Sequence, residues 1–416
     1  MDAEGMLEGL LAESQECALD ELPALVGAHA ARVGLTDAWI YLADLQRAVL
    51  RPLPRRAGAT AADGDLDDSL GMDSTLAGRA FRNEELLAGP TAAVTEAAGE
   101  PPGPDQGPGW LWIPLVAGAE RLGVLRVTAH APLDDAGRAT AGRLASFVAL
   151  LLVSRRRHSD NYARLLRSRD MSLAAELQWT LMPPPALVTD TVTVAAVLEP
   201  AYEVGGDAFD FALDGPLMHL SILDALGHDL ASGLVSSIAL ASYRNNRLRG
   251  AGLADISAAI DDAVAAQFDQ TRFVTGILAR LNTDTGGLTW VSRGHPPPLI
   301  IRQGRWVIQL ECEPASPMGL ALGDRPTVYE DQLEPGDRLL CYTDGIIDAR
   351  SPEGELFGLD RFTDFIVRRE ADGLGAQETL RRLVNTVLEH QKGSLQDDAT
   401  VLLAEWRPGA DERPEP

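Results

Sequence analysis

Five aspartates in the C-terminal half have the type and spacing to do chemistry. Asp207 follows Gly205-Gly206, Asp224 closes the apolar run LSIL, Asp344 closes RLLCYT ahead of Gly345, and Asp397-Asp398 stand just before ATVLLAEW. Taken singly, an aspartate at a strand end is a turn former or a helix cap. Taken together, the apolar runs beside them belong to one core, which brings the carboxylates to a common edge. There they repel one another in low dielectric unless cations bridge them. An all-oxygen set without histidine or cysteine selects hard ions, magnesium or manganese, over zinc. Two such ions ~4 Å apart can share a water, lower its pKa and clamp a phosphoryl oxygen, so that the water attacks phosphorus in line. Gly205, Gly206, Gly227 and Gly345 stand where a backbone must come close to the ions.

Positioning those groups takes a sheet-rich scaffold. After Pro183-Pro184-Pro185 the sequence runs in short alternating segments, among them 191–198, 207–213, 217–224, 273–282, 287–293, 297–302, 327–333, 337–344 and 399–406. Helical spacings interrupt them over 229–248 and 253–269, and again over 359–370 and 376–391. Hairpin-linked strands with a few long helices read as one large α+β domain, a sheet sandwich covered by helices. The N-terminal part shows helices over 1–16 and 19–33, strands near 38–42 and 48–53, and a short helix over 75–82 capped by Ser74. Two strands, 110–116 and 121–129, follow around a tight turn. Loops fill 58–69, whose Asp63 and Asp65 mimic part of a calcium loop without its closing glutamate, and 99–109 (GEPPGPDQGPG). From 134 to 182 apolar residues recur at three- and four-residue spacings. That suits one long connecting helix with a coiled-coil seam between two copies, or two packed helices broken near 158–161.

Bulk composition narrows the partners. The 416 residues are 45% hydrophobic and 23% charged, with a formal net charge of -25. Nucleic acid and anionic membrane surfaces need basic patches, so neither is expected as a partner. Cys17, Cys312 and Cys341 are far apart and form no CxxC pair. They suggest neither a disulfide framework nor a cysteine zinc site, and a cytoplasmic compartment is expected. The acidic start MDAEGMLEGLLAESQE lacks the basic region of a signal peptide. The longest apolar run, LASFVALLLV at 144–153, is about half of a membrane span.

Residues 15–155 resemble a GAF domain, a small sensor fold, through the leading helices, AWIYLAD, STLAGRAF and the pair WLWIPLVAG…RLGVLRV. No cysteine stands where a bilin could attach, and His29 and His130 read as packing or surface histidines. Residues 172–406 resemble SpoIIE-type phosphatases, the bacterial branch of the protein phosphatase 2C (PPM) family. The carriers are PAYEVGGDAFDF, LDALGHDLASGL, SRGHPPPLI, PMGL, PGDRLLCYTDGIIDARSPEGELFGLDRF and DDATVLL, in the family's order, with LQWTLMP leading in. The resemblance implies that Asp224 bridges both metals and that the Ala225 carbonyl is a main-chain ligand. It implies that Asp344 and Asp397 complete the second metal's shell, and that Asp207 acts on the first metal directly or through water. Asp398 is left as a turn residue. Two motifs depart from the family. Asp229 stands where the DVxGHG pattern has its last glycine; it reads as the N-cap of the next helix, the rival being an extra carboxylate that alters ion affinity or substrate choice. Arg293 replaces an alanine in SRGH, either as a strand-end residue or as a phosphate holder. His228 and His295 are read as packed histidines or as general acids.

The expected organisation is a GAF-like sensor domain over 1–155, a helical linker over 156–183, a PPM-type phosphatase domain over 184–408 and a disordered tail over 409–416. The expected activity is hydrolysis of phosphoserine or phosphothreonine with two manganese or magnesium ions, Asp207 and Asp224 being catalytic. Family analogy suggests a phosphorylated anti-sigma factor antagonist as substrate, in bacterial partner switching controlled by the N-terminal domain. The assembly considered is a homodimer through the linker helix. The competing reading is a catalytically weak or inactive scaffold that keeps the fold.

Overall fold

The computed structural model describes residues 3–54, 69–89, 109–129, 133–199, 202–203, 205–227, 229–313, 315–393, 395 and 397–408. The loops expected at 58–69 and 99–109, apart from Ser69 and Gly109, lie outside the described residues, as do His130, His228 and the tail at 409–416. The chain divides into two compact units, Met1–Asp170 and Met171–Pro416. Their boundary falls inside the stretch read as a linker.

The first unit runs α1 (Ala3–Ser14), α2 (Leu22–Ala30), β1 (Leu35–Ala43), β2 (Val49–Pro52), β3 (Leu70–Gly71), α3 (Leu76–Asn83) and β4 (Leu87–Gly89). It continues with β5 (Gly109–Ala117), β6 (Glu120–Ala129), α4 (Asp135–Arg155) and α5 (Asp160–Leu166). The strands form one sheet in the order β3-β2-β1-β6-β5-β4. Alternation along β1 sends Ala38, Ile40 and Leu42 into the core shared with α1, α2 and α4. Tyr41 and Ala43 face the other way, into a smaller cluster with Ala77, Ala80 and Phe81 of α3.

Two local expectations change. Thr75, not Ser74, caps α3, because its hydroxyl accepts from the Gly78 N–H. The segment 134–182 is not one helix: of the two readings, the break near 158–161 is the one found, with a further break ahead of Leu173. Ser159 and Ser172 each offer a hydroxyl to the N–H three residues on, of Tyr162 and Ala175, and a serine in that role starts a helix anew. By length and hydropathy Asp135–His158 could also cross a membrane. Its Leu144, Val148 and Leu152 are instead fully buried in the unit's core, as in a helix of a folded domain.

The second unit opens with α6 (Leu173–Leu181), β7 (Ala186–Val188), β8 (Val192–Glu199), β9 (Asp207–Asp214), β10 (Leu217–Ala225), α7 (Leu230–Arg247) and α8 (Leu253–Phe268). Then come β11 (Val274–Asn282), β12 (Gly287–Arg293), β13 (Leu299–Arg302), β14 (Trp306–Gln309), β15 (Tyr329–Gln332) and β16 (Arg338–Tyr342). It closes with α9 (Asp344–Ile347), α10 (Gly358–Ala371), α11 (Ala376–His390) and β17 (Ala399–Trp406). One sheet has the order β15-β12-β11-β10-β9 and the other β14-β13-β16-β17-β8-β7. Period-two alternation builds four layers from these strands. On β10, Met218, Leu220 and Ile222 join the core between the sheets, while Leu223 and Ala225 turn to α7 and α8. On β17, Leu402 and Ala404 enter that same core, while Val401 and Leu403 turn to α10 and α11. This is the expected α+β sandwich flanked by helices.

Trp290 fills the middle of the sandwich with no solvent exposure, its indole N–H donating to Asp331 at 2.8 Å. Trp290→Ala leaves a cavity there and strands the Asp331 partner. The expected loss is about 3–5 kcal/mol of stability, measured from the shift in urea unfolding followed by circular dichroism.

Candidate functional site

The hairpin of β9 and β10 sets the site. Its antiparallel register opposes Asp207 to Asp224, and Thr275 of β11 lies on the other side of Asp224. Like charges directly opposite across a ladder are unfavourable, so both carboxylates need partners. Asp207 is 1% exposed, and its Oδ2 accepts hydroxyl hydrogen bonds from Thr343 at 2.8 Å and Thr400 at 2.6 Å. Thr343 follows β16 just before Asp344, and Thr400 lies in β17 just after the Asp397-Asp398 pair. The second sheet therefore delivers hydroxyls and carboxylates to the same place.

Asp344 opens α9, with Thr343 at its N-cap position. The Asp397 carboxylate accepts from the Asp398 N–H at 2.9 Å. Asp398 is 5% exposed, and its Oδ2 accepts from the N–H groups of Gly205, Gly206 and Asp207 at 2.9, 2.6 and 3.2 Å. The turn residue of the sequence reading is thus a buried acceptor. Two glycines are required by close approach. A Cβ on Gly206 would lie 2.6 Å from the carbonyl oxygens of both Ala225 and Gly227, and one on Gly345 would overlap the Asp398 carbonyl. The Gly206 carbonyl accepts from the Ala225 N–H at 3.1 Å and from the Ser236 hydroxyl.

Burial and mutual repulsion push these carboxylates up. Asp224 is raised to about 7 by burial, then by the charges of Asp344, Asp397 and Asp398. Asp207 is raised well above the ordinary carboxylate range by burial, Asp224 and Asp398, against the pull of the two threonine hydroxyls. Asp344 is raised by burial and by Asp397 and Asp348. Asp398 is raised chiefly by burial, against its three N–H donors. The groups act on one another through charge without closing into a ready three-ligand cluster, none of which exists among the described residues. A set of oxygens that mutually raise their pKa values fits hard divalent cations, whose charge removes the repulsion.

The departures from the family pattern resolve by geometry. Asp229 caps α7: its Oδ1 accepts from the Ser232 N–H at 2.8 Å, and Arg272 pairs with its Oδ2 at 2.9 Å. The Ser232 N–H, the Ser232 hydroxyl and Arg272 hold its pKa down to about 2. Arg293 is 1% exposed and spends its donors on Ser257 and on Ser316, Pro317 and Asp324 of the PMGL segment. That is a structural arginine. His295 is buried, with Nδ1 2.9 Å from the Thr275 hydroxyl, and burial lowers its pKa to about 4. The residues that the sequence reading passed over are Thr343, Thr400 and Ser236. The two threonines were visible as the middle of YTDG and the end of DDAT.

Carboxylates collected at one end of a helix-covered double sheet suit a domain that works through divalent cations. Residues 214–407 match the family model of Stage II sporulation protein E (SpoIIE). The second unit carries a SpoIIE-type phosphatase domain. The chain is similar to the phosphoserine phosphatase RsbU of Bacillus subtilis, with 24% identity over 56% of this chain and 69% of RsbU. It is similar to protein IcfG of Synechocystis, with 26% identity over 51% of this chain and 38% of IcfG. Among solved structures it resembles the RsbU and RsbW domains of Rv1364c from Mycobacterium tuberculosis, with 24% identity, a TM-score of 0.46, and coverage of 55% of this chain and 62% of that one. The chain thus spans less than two thirds of IcfG and of the Rv1364c structure.

A carboxyl group whose folded pKa is raised stabilises the fold at low pH, and that contribution disappears as pH rises through the folded value. For Asp224 that value is about 7. Metal-free protein should therefore show a thermal midpoint that falls from about pH 4, the unfolded carboxyl value, to about pH 7 and levels off above it, with manganese addition reversing the fall and releasing protons. Asp224→Asn should flatten the profile, as followed by differential scanning calorimetry.

Proposed function

We propose that this protein is a cytoplasmic, metal-dependent phosphatase that removes phosphate from phosphoserine or phosphothreonine in a partner protein. The observation that carries the reading is the register that opposes Asp207 to Asp224, with Asp344 and Asp397 within charge reach. Asp207, Asp224, Asp344 and Asp397, with the Ala225 carbonyl, would hold two manganese or magnesium ions. When bound, such ions supply positive charge to the phosphoryl oxygens and acidify water. The chain's own residues keep the carboxylates in place: the hydroxyls of Thr343 and Thr400 orient Asp207, and β10 orients Asp224. His295, with Nδ1 2.9 Å from the Thr275 hydroxyl and its pKa lowered by burial, is read as a positioning residue that holds Thr275 beside Asp224. The likeness to RsbU, named a phosphoserine phosphatase, supports the substrate class. An anti-sigma factor antagonist in partner switching is the substrate we propose. Three free cysteines support a reducing compartment.

We read the first unit as a GAF-like sensor that acts through α6. This helix sits directly on the site's framework. The Gln178 amide donates to the Gly205 carbonyl at 3.4 Å, a Cβ on Gly233 of α7 would meet Ala174 at 3.1 Å, and Leu181 packs on the α7–α8 cluster. A shift of α6 would therefore reach the turn that carries Asp207, and control of this kind requires α6 to have two positions biased by the first unit. We propose a homodimer contact on the same connector, which the 68% exposure of Leu173 supports.

Manganese or magnesium should support hydrolysis of p-nitrophenyl phosphate and of a phosphoserine protein, and EDTA should abolish it reversibly. Asp224→Asn should lose several orders of magnitude in turnover with its circular dichroism unchanged. Full activity with zinc where manganese fails would contradict the oxygen-ligand assignment.

Removing residues 1–170 should change turnover or manganese dependence, and Leu181→Asp should uncouple the units. The comparison is steady-state kinetics of the three proteins across manganese concentrations. Identical curves would make α6 a passive tether.

A further inference from the structure

We propose that Asp398 is a positioning residue that ties together the turns carrying the other site carboxylates. Its side chain and its main chain do this in different directions. One carboxylate oxygen collects three successive N–H groups, from Gly205, Gly206 and Asp207. Three backbone donors converging on one point form a concave anion site, and here the anion is supplied by the chain itself. The Asp398 N–H donates to the Asp397 carboxylate, and the Asp398 carbonyl lies so close to Gly345 that no Cβ fits between them. One residue therefore touches the turns of Asp207, Asp344 and Asp397.

The reach extends to β10. The Gly206 carbonyl in the tethered turn accepts from the Ala225 N–H, and Gly206 lies against the Ala225 and Gly227 carbonyls. Freeing the turn would loosen Asp207 and Ala225 together. The two adjacent aspartates thus have opposite tasks. Asp397 is exposed, while Asp398 is 5% exposed and its carboxylate is turned to the backbone. A carboxylate suits the inner position because charge strengthens each N–H bond, and an asparagine oxygen would serve the same donors more weakly.

This inference rests on the reading of Asp207 and Ala225 as parts of the cation site. Its test uses the full chain in three variants: Asp398→Asn, Asp398→Ala and Asp337→Asn. Asp337 is the control, a carboxylate that is likewise buried (1% exposed), bound by Arg302 and the Glu334 N–H just ahead of β16, at the end of that strand away from Thr343. Amide hydrogen exchange at 205–207 should quicken by about 10-fold in Asp398→Asn and about 100-fold in Asp398→Ala. Manganese affinity, titrated by calorimetry without substrate, should weaken in the same order. Raising manganese should restore turnover of Asp398→Asn toward the parent value with the KM for phosphoprotein unchanged. Asp337→Asn should lower the thermal midpoint while leaving exchange at 205–207 and manganese affinity as they were. Parent-like exchange at 205–207 in the Asp398 variants would overturn the proposal. So would faster exchange with unchanged manganese affinity, or equal effects from Asp337→Asn. If Asp398→Ala does not fold, Asp398→Asn decides by the same readouts. Exchange and metal binding are read without phosphate chemistry, so they judge Asp398 whether or not the protein hydrolyses phosphoserine.

Discussion

Repulsion between carboxylates held at one end of a double sheet is the constraint on which the rest of the second unit depends. The register of β9 and β10 forces Asp207 against Asp224. Two like charges ~4 Å apart cost about 4 kcal/mol at an effective dielectric constant near 20. Hydrogen bonds to a charged group return about 1.5–3 kcal/mol each. The hydroxyls of Thr343 and Thr400 on Asp207 are of the right size to offset one such pair. They do not offset the further charges of Asp344 and Asp397, and the pKa of Asp224 stays raised to about 7. The remaining imbalance is what divalent cations are suited to remove.

That repulsion is held in place by a closely packed sandwich. The core between the sheets is built from side chains such as Phe209, Met218, Ile222, Ile277, Trp290 and Leu402, each fully or almost fully buried. The outer helices cover the opposite faces of the same strands. With both faces of a strand held, its register cannot slip by one residue without moving every apolar group to the wrong side. The position of a carboxylate at a strand end is then as well defined as the core itself.

Burial sorts polar residues of similar type into different roles. Asp229 and Asp398 both accept backbone N–H bonds. Asp229 does so at an exposed helix start, where its pKa is low, and Asp398 does so inside the domain, where burial raises it. Arg293 lies in the SRGH motif and Arg272 just ahead of β11, yet Arg293 is 1% exposed and engaged in holding the residues around PMGL, while Arg272 pairs with Asp229 at the surface. The same PMGL segment is held from α8 by Asp261, which accepts from the N–H groups of Gly319 and Ala321.

By itself, the sequence determined the strand and helix content of the second unit, because alternation and helical spacing are local properties that its core then reinforces. It also determined the carboxylate set: Asp207, Asp224, Asp344 and Asp397 are each marked by a neighbouring glycine or an apolar run. Helix starts were less legible. Thr75 and Ser74 are equally good caps on paper, and the serines at 159 and 172 divide what reads as a continuous apolar periodicity. The role of Asp398 was decided only by the tertiary structure. Its three donors lie more than 190 positions away in the chain, at 205–207, and only the folding of β17 beside β8 brings them to its carboxylate. Arg293 and His295 were settled in the same way, since burial depends on what the rest of the chain places around a residue, and no spacing rule within a motif contains that information.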